Sequence, residues 1–415
     1  MTRWLLLFED RHWPDLRPLA DLLPVPALVF GGSHLAYRLR AAVHAATPDL
    51  RWLSVEARST VAAAWRETPA AEVQRPQSQD EVLAVNAATL PGDWLRHGLD
   101  GPSPASWTSG DRIVGARLPF ATVAPGLGRG AAFEAFLVGL GLPKVAVDAR
   151  LLRFPLDLVE GNLDALAADL SRLAPGVEGE LHPLAAVYEP KRVAIGPDAR
   201  VDAYAVLDAR GGPIRIGAGA VVLSHTVVIG PCAVGEGSRL MGGFVGRSTI
   251  GPGCRIAGEV DSSVWQGWSN KGHHGFVGHS AVGEWVNLGA LTTTSDLKNT
   301  YGPVRVTVGD REVDSGHFKV GSFIGAHAKT GIGTLLPTGA SIGVAANLFG
   351  GGRYAPKHVP AFGWWDGAAM REHRFEKFVT TAKLAMTRRE RPLLPAEEAA
   401  LKALHDRTRG EWASS

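Results

Sequence analysis

The residues best suited to chemistry lie between Ser269 and Tyr301, in the stretch SNKGHHGFVGHSAVGEWVNLGALTTTSDLKNTY. It holds three histidines (His273, His274, His279), two lysines (Lys271, Lys298), two carboxylates (Glu284, Asp296) and three asparagines (Asn270, Asn287, Asn299). Polar groups packed this closely need partners, and a bound ligand is one of the few ways to supply them all. Imidazole titrates near neutral pH, so His273 suits a general base, with Glu284 or Asp296 to orient it. Lys271 and Lys298 are candidates for holding a phosphate. Plainer readings stand beside these: a histidine that only completes loop hydrogen bonds, solvated lysines, and asparagines stacked as a ladder or set in left-handed turns.

The flanking residues show what must hold this stretch. Apolar residues step in sixes at Ile195, Val201 and Leu207, and again at Ile216, Val222, Val228, Val234 and Leu240. Ile250 and Ile256 continue in a new phase, and the step resumes at Ile324, Thr330, Leu336, Ile342 and Leu348. This spacing predicts a left-handed parallel β-helix of hexapeptide repeats. Each hexapeptide forms one flat side of a triangular coil, its apolar residue inward and a small residue at the corner. A glycine-rich strand protein with accidental spacing is the competing reading. Between Asp261 and Gly275 the step is lost, and Pro303 to Lys319 alternates as a hairpin turning at Gly309-Asp310. Both are expected as loops extruded from the coils, where binding residues collect.

In front of the coils, residues 1 to about 183 read as α/β. Trp4–Phe8, Ala27–Phe30, Val82–Val85 and Lys144–Val147 are apolar runs fit for buried strands. His34–Ala46 and Thr60–Glu67 have helical character, which suggests a mostly parallel, reduced Rossmann-like sheet. Leu90–Thr108 reads as loop, and Leu158–Leu173 as a helix leading out of the domain. Beyond Pro360, Asp366 is expected to cap a helix with Met370, Phe375, Phe378, Val379, Ala382 and Met386 on its apolar face. A second helix begins at Pro395, and the pair is expected to cover the open end of the stack or a neighbouring subunit. The expected division is 1–183, 184–362 and 363–415.

The 415 residues carry Lys+Arg 43 against Asp+Glu 41, a balance that draws the chain toward neither nucleic acid nor membrane. Two cysteines make no disulfide framework and are expected as small buried residues in a reducing compartment. Trp4–Phe8 is too short for a signal peptide, and no apolar run reaches the roughly 18 residues that span a bilayer. A soluble cytoplasmic protein is expected.

The stretch SNKGHHGFVGHSAVGEWVNLGALTTTSDLKNTYGPVRV closely resembles the alternative bacterial branch of the bifunctional GlmU-like proteins. The similarity continues through SGHFKVGSFIGAHAKTGIGTLLPTGASIGVAANLFGGG and PKHVPAFGW, covering the whole coiled half. That family joins a UDP-N-acetylglucosamine diphosphorylase domain to a glucosamine-1-phosphate N-acetyltransferase, and it forms trimers. The resemblance puts its catalytic histidine on His273 and its substrate-loop asparagine on Asn287. The standard family's tyrosine falls on Phe276, which lacks the hydroxyl, and its upstream lysine falls near Asp261. The front half resembles the family through LLLFEDRHWPDLRPLADLLP, VLAVNAATL and LRFPLDLVEGN. There, however, no GxGTRM-like phosphate loop follows the first strand, and the first lysine of the chain is Lys144. Nucleotidyl transfer would have to draw on arginines and on Glu9, Asp10 and Asp15 around Mg²⁺.

What the resemblance implies is acetyl-CoA-dependent N-acetylation of an amino-sugar 1-phosphate. His273, Asn287 and Glu284 are the catalytic candidates. Lys271, Asn270, Lys298, Asp296, Asn299 and Tyr301 are candidates for the sugar phosphate. The N–H groups around Gly289 and Ala290 are candidates for the oxyanion, and Lys329 and Arg353 for coenzyme A phosphates. Mg²⁺ enters only if the front domain is active, and a homotrimer with small-molecule partners is expected. Three alternatives stay open. One is an active nucleotidyltransferase forming a UDP- or dTDP-sugar. Another is a zinc hydratase like the γ-class carbonic anhydrases, with His274, His279 and one of His225, His317 or His327 as ligands. The last is a non-catalytic trimerising scaffold.

Overall fold

The computed structural model describes residues 2–69, 75–309 and 311–411; Asp310, in the expected hairpin turn, lies outside them. The chain forms two compact units, dividing near Arg153 rather than at 183.

The first unit comprises Met1–Leu16, Leu22–Leu28 and Ser33–Arg153. Its six-stranded sheet runs in the order Arg51–Glu56, Arg3–Phe8, Glu81–Asn86, Arg112–Pro119, Ala105–Ser109, Lys144–Ala146. The first three strands are parallel, as the apolar runs at Trp4–Phe8 and Val82–Val85 predict, while Arg51–Glu56 has no such run and is not expected from the sequence. Arg112–Pro119 is antiparallel to both its neighbours, so the sheet is mixed. The expected loop at Leu90–Thr108 instead holds the helix Trp94–Asp100 and the strand Ala105–Ser109. Trp94 and Trp107 bury that segment, a signal the surrounding Pro, Gly and Ser hid.

The second unit comprises Phe154–Ser415 together with two short early segments, Arg17–Asp21 and Val29–Gly32. These segments belong to its interior bonding. Buried Gln266 accepts the Val29 N–H at 2.7 Å, and buried Thr249 donates to the Gly31 carbonyl at 2.8 Å. The expected helix at Leu158–Leu173 is two, Pro155–Glu160 and Asn162–Leu170, broken at Gly161. A Cβ at Gly161 would stand 2.8 Å from the Phe30 ring, which explains the glycine.

The rest is a parallel coil. One face is a ten-stranded ladder from Gly176–Val177 to His358–Val359. Its inward column runs Ile195, Ile216, Val234, Ile250, Trp265, Val282, Ile324, Ile342, Val359, all buried. Each such side chain contributes about 1.5–3 kcal/mol on burial. At one corner, successive coils use Asp198, Gly219, Gly237, Gly253, Trp268, Trp285, His327, Ala345 and Phe362, every one with φ between 56° and 64°. Glycine adopts this conformation freely, whereas a bulky L-residue bears about 1–2 kcal/mol of strain. The chain therefore accepts strain from Trp268 onward.

The Asp261–Gly275 break is not an extruded loop. Val264–Trp265 and Asn270–Lys271 keep their places in the ladders. The step is hidden there because a lysine fills an inward position and a tryptophan fills a glycine corner. The segment that does leave the coil is the hairpin Arg305–Val308 with Arg311–Asp314, its base closed by a bridge from Leu297 to Lys319.

Two helices follow the coil, the C-terminal helix Phe375–Thr387 and a last one, Pro395–Arg407. Met370 lies in the strand before them, and the C-terminal helix buries Phe375, Phe378, Val379, Ala382 and Met386. It does not start from Asp366, which accepts the Ala368 and Ala369 N–H groups in a turn. Nor does it sit over the end of the stack. Phe378 meets His327 and Phe362 edge-on, and past the helix Arg389 donates to the Gly253 carbonyl, so it runs back along the aromatic corner. The strained aromatics supply the apolar wall this helix buries.

Candidate active site

His273 and His274 occupy the second corner, between the strands Asn270–Lys271 and Phe276–Gly278, and both are exposed. The preceding coil turns this corner in two fewer residues, since Ile256 pairs with Lys271 and Glu259 with Phe276. The two extra residues lengthen the His273 turn relative to the coil before it. A ring in this position has solvent access and no packing role, which is what a proton-transfer base needs.

Lys271 lies beneath that corner, 1 % exposed, at an inward position otherwise held by residues such as Ile256 and Leu288. Its ammonium donates to the carbonyls of Ala257 and His273, each at 2.8 Å. Gly258 makes the room, for a Cβ there would lie 2.9 Å from the Lys271 nitrogen. Burial pushes the amine down to about 8, and the Glu259 charge offsets only part of that. The expectation that Lys271 holds a sugar phosphate is corrected, because its charge faces the coil interior and braces the His273 backbone.

Asn270, Asn287 and Lys329 stack in register on the outer face, and the Asn270 side-chain NH₂ donates to the Asn287 side-chain Oδ1 at 2.8 Å. They line a cavity of about 370 Å³ together with Arg255, Trp268, Trp285, Arg388 and Arg389. Trp268 and Trp285 stack with ring centroids 5.5 Å apart, and Gly253 makes room for Trp268 because a Cβ would stand 2.5 Å from its ring. Burial lowers the Lys329 amine, and burial with neighbouring Arg255 and Arg388 lowers Arg389.

The other expected residues lie elsewhere. Asp296 orients His279, not His273, at 2.8 Å. Half-buried Glu284 precedes Trp285 in the chain, and its carbonyl accepts the His327 N–H. The Gly289 N–H is donated to the Thr330 carbonyl and hydroxyl at 3.1 and 3.0 Å, so it is not available to an oxyanion; the Ala290 carbonyl accepts from Gly333. Lys298 donates to Pro303, and Asn299 and Tyr301 are exposed on the extruded segment. Arg353 is exposed and donates to the Gly367 carbonyl, outside the cavity that holds Lys329.

Among the described residues no three of His, Cys, Asp and Glu gather to hold a metal ion. His225 stacks on Tyr204, and His317 pairs with Glu160 at 3.1 Å. His327 lies against Trp285 and Phe378, and burial pushes it down to about 3. The cysteines are buried and free, with burial pushing each thiol up to about 12.

In the first unit the carboxylates expected near Mg²⁺ are already paired. Both Glu9 oxygens meet Arg58, at 3.0 and 3.1 Å, and Asp10 meets Arg112 at 2.7 Å and the Asn86 amide at 2.8 Å. Asp15 lies 3.7 Å from His12. Buried carboxylates neutralised by arginine have little left to offer a cation. A separate cavity of about 310 Å³ in this unit is lined by Arg11, Asp111, Glu134 and Lys144 among others.

Residues 5–177 match the sugar nucleotidyl transferase family. A bifunctional sugar-1-phosphate nucleotidylyltransferase/acetyltransferase of Sulfurisphaera tokodaii is 38% identical over 93 residues, which is 22% of this chain and 23% of that protein. The bifunctional protein GlmU of Methanococcus aeolicus is 33% identical over 91 residues, 22% of each chain. Over these stretches the chain is similar to bifunctional GlmU-type proteins. The match spans less than a quarter of the length of either relative. Among solved structures, the Arabidopsis UDP-N-acetylglucosamine acyltransferase aligns with 55% of this chain and 97% of its own, at 12% identity and a TM-score of 0.24.

The sequence pattern did not single out Arg255, Trp268, Trp285, Arg388 and Arg389, which line the cavity. The signal available was the corner register, in which Trp268 and Trp285 replace Gly253 one and two coils on. The arginines carried no comparable signal, since each alone reads as a surface charge.

Proposed function

We propose that the coiled unit transfers an acetyl group from acetyl-CoA to the amine of an amino-sugar 1-phosphate such as glucosamine 1-phosphate. The observation that carries this reading is the exposed His273 corner, whose backbone a buried lysine holds in place. In the proposed reaction the amine attacks the thioester carbonyl, forming the C–N bond as the C–S bond breaks. His273 takes the amine proton and returns it to the departing thiolate. Asn287 accepts from Asn270 through its oxygen, which leaves its NH₂ group to donate to substrate. Release of coenzyme A thiol from acetyl-CoA, dependent on an amino-sugar 1-phosphate, tests the reading. If no amino-sugar phosphate supports release above the hydrolysis background, the reading fails.

The proposed assembly is a homotrimer, supported by a catalytic corner left exposed on a single chain. Light scattering at micromolar concentration should give three times the chain mass, and a monomer there would count against it.

For the first unit, the family match favours a sugar-nucleotide fold, while the Arg58–Glu9 and Arg112–Asp10 pairs oppose a Mg²⁺ site. Weak or no uridylyl transfer is expected. Pyrophosphate release from UTP and a sugar 1-phosphate at more than about 1 s⁻¹ would overturn this, since ordinary enzymes run at or above that rate.

A further inference from the structure

We propose that the cavity between the aromatic corner and the end of the C-terminal helix is a nucleotide subsite, taking a planar base against the tryptophans and phosphates on its cations. The proposal rests on the acetyl-CoA reading for its favoured ligand, the adenine nucleotide end of the acyl donor.

The cavity holds about 370 Å³, the scale of a small-ligand site. Four cations converge on it, Arg255 and Lys329 from the two ends of one outward column with Asn270 and Asn287 between them, and Arg388 and Arg389 from beyond the helix end, and no carboxylate is among the described residues that line it. Like charges brought together repel, and desolvation makes each harder to keep charged, so the arrangement gains from an anion more than a solvated surface would. Lysine and arginine are the usual partners of phosphate, with arginine able to bind two oxygens at once.

The aromatic wall is a separate observation. Earlier coils turn this corner with Gly219, Gly237 and Gly253, and the chain then places Trp268 and Trp285 at the same left-handed backbone position. Strain kept at a cavity wall points to use of the side chains concerned. Both indoles are half-buried, and Arg391 lies 4.3 Å over the Trp268 ring, so a stacked base would meet one partly covered platform and one adjoining edge. The outward amides of Asn270 and Asn287 add donors and acceptors for base or ribose.

Two sources share this chemistry, the adenosine diphosphate part of coenzyme A and a uridine nucleotide. Calorimetric titration of the full chain with coenzyme A, 3′,5′-ADP and UDP separates them. Coenzyme A and 3′,5′-ADP are expected to bind, with UDP at least tenfold weaker. Arg388→Gln with Arg389→Gln should weaken coenzyme A at least tenfold, and Trp268→Phe should weaken both adenine ligands while the fold, followed by melting, persists. Unchanged coenzyme A affinity in both variants overturns the subsite. UDP binding more tightly than 3′,5′-ADP, and lost in the double variant, supports the subsite and overturns the adenine assignment. If coenzyme A binds as expected while the wild type acetylates no amino-sugar phosphate, the proposed reaction fails and the subsite stands.

Discussion

His273→Ala is expected to lower kcat for acetyl transfer by about 10²–10⁴-fold, with acetyl-CoA affinity and Tm nearly unchanged. The ring is exposed and lies outside the coil's apolar core, so its removal opens no cavity. The bond that braces the corner comes to the His273 carbonyl, which alanine retains. What is lost is a proton acceptor and little else. His274→Ala should cost far less in rate. His279→Ala releases Asp296 from its pair, and its effect should fall mainly on stability. Zinc chemistry would give another pattern, with His274 and His279 equally damaging and bound zinc lost in both. Steady-state kinetics on the three variants distinguishes these, and near-full transfer by His273→Ala would assign the base elsewhere.

Replacing Lys271 by methionine should raise stability at neutral pH and lower it at high pH. Burial holds this amine near 8, against 10.5 for an ordinary lysine. At pH 7 the amine is protonated in both folded and unfolded chains, and the folded chain bears the cost of burying the charge, on the order of 3 kcal/mol. Between 8 and 10.5 the unfolded chain still holds a proton that the folded chain has released, so wild-type stability rises with pH across that window. Methionine removes the charge but leaves the Ala257 and His273 carbonyls without their donor, a loss of about 1 kcal/mol each. The net expectation for Lys271→Met is a gain of roughly 1 kcal/mol at pH 7 and a deficit of roughly 2 kcal/mol above pH 10.5. Neutral amine still has two N–H groups for two carbonyls, which is why wild type is the better sequence there. Urea midpoints at the two pH values decide it, and a difference of constant sign would show that the amine is not desolvated as described.

The coil was legible because inward apolar residues must recur once per flat side, and glycine at a corner is required by the backbone. Legibility failed where those rules were broken. Lys271 sits inward and Trp268 sits at a corner, so a continuous stretch of coil reads from sequence as an inserted loop. Burial of Lys271 depends on the absent Cβ of Gly258 and on two carbonyls, none of which a spacing pattern records. The cavity was illegible for another reason. Its cations come from the coil and from beyond the C-terminal helix, and only the return of that helix along the aromatic corner brings them together. In the front unit the apolar runs Trp4–Phe8 and Val82–Val85 are parallel strands, but Ala27–Phe30 is not part of that sheet, Arg51–Glu56 carries no apolar run to reveal it, and Ala105–Ser109 was hidden by the glycine and proline around it.

The two early segments in the coiled unit bear on how such a protein can be inherited. Gln266 and Thr249 are buried inside the coils and bond to Val29 and Gly31, and Arg407 in the last helix reaches Asp21 at 2.7 Å. A gene split between the halves would hand the downstream product a core with orphaned polar groups, each a penalty of about 1–3 kcal/mol. Fission of this gene is therefore disfavoured, whatever becomes of chemistry in the front unit. What such a split would remove is the pair of early segments, Arg17–Asp21 and Val29–Gly32, that belong to the coiled unit itself.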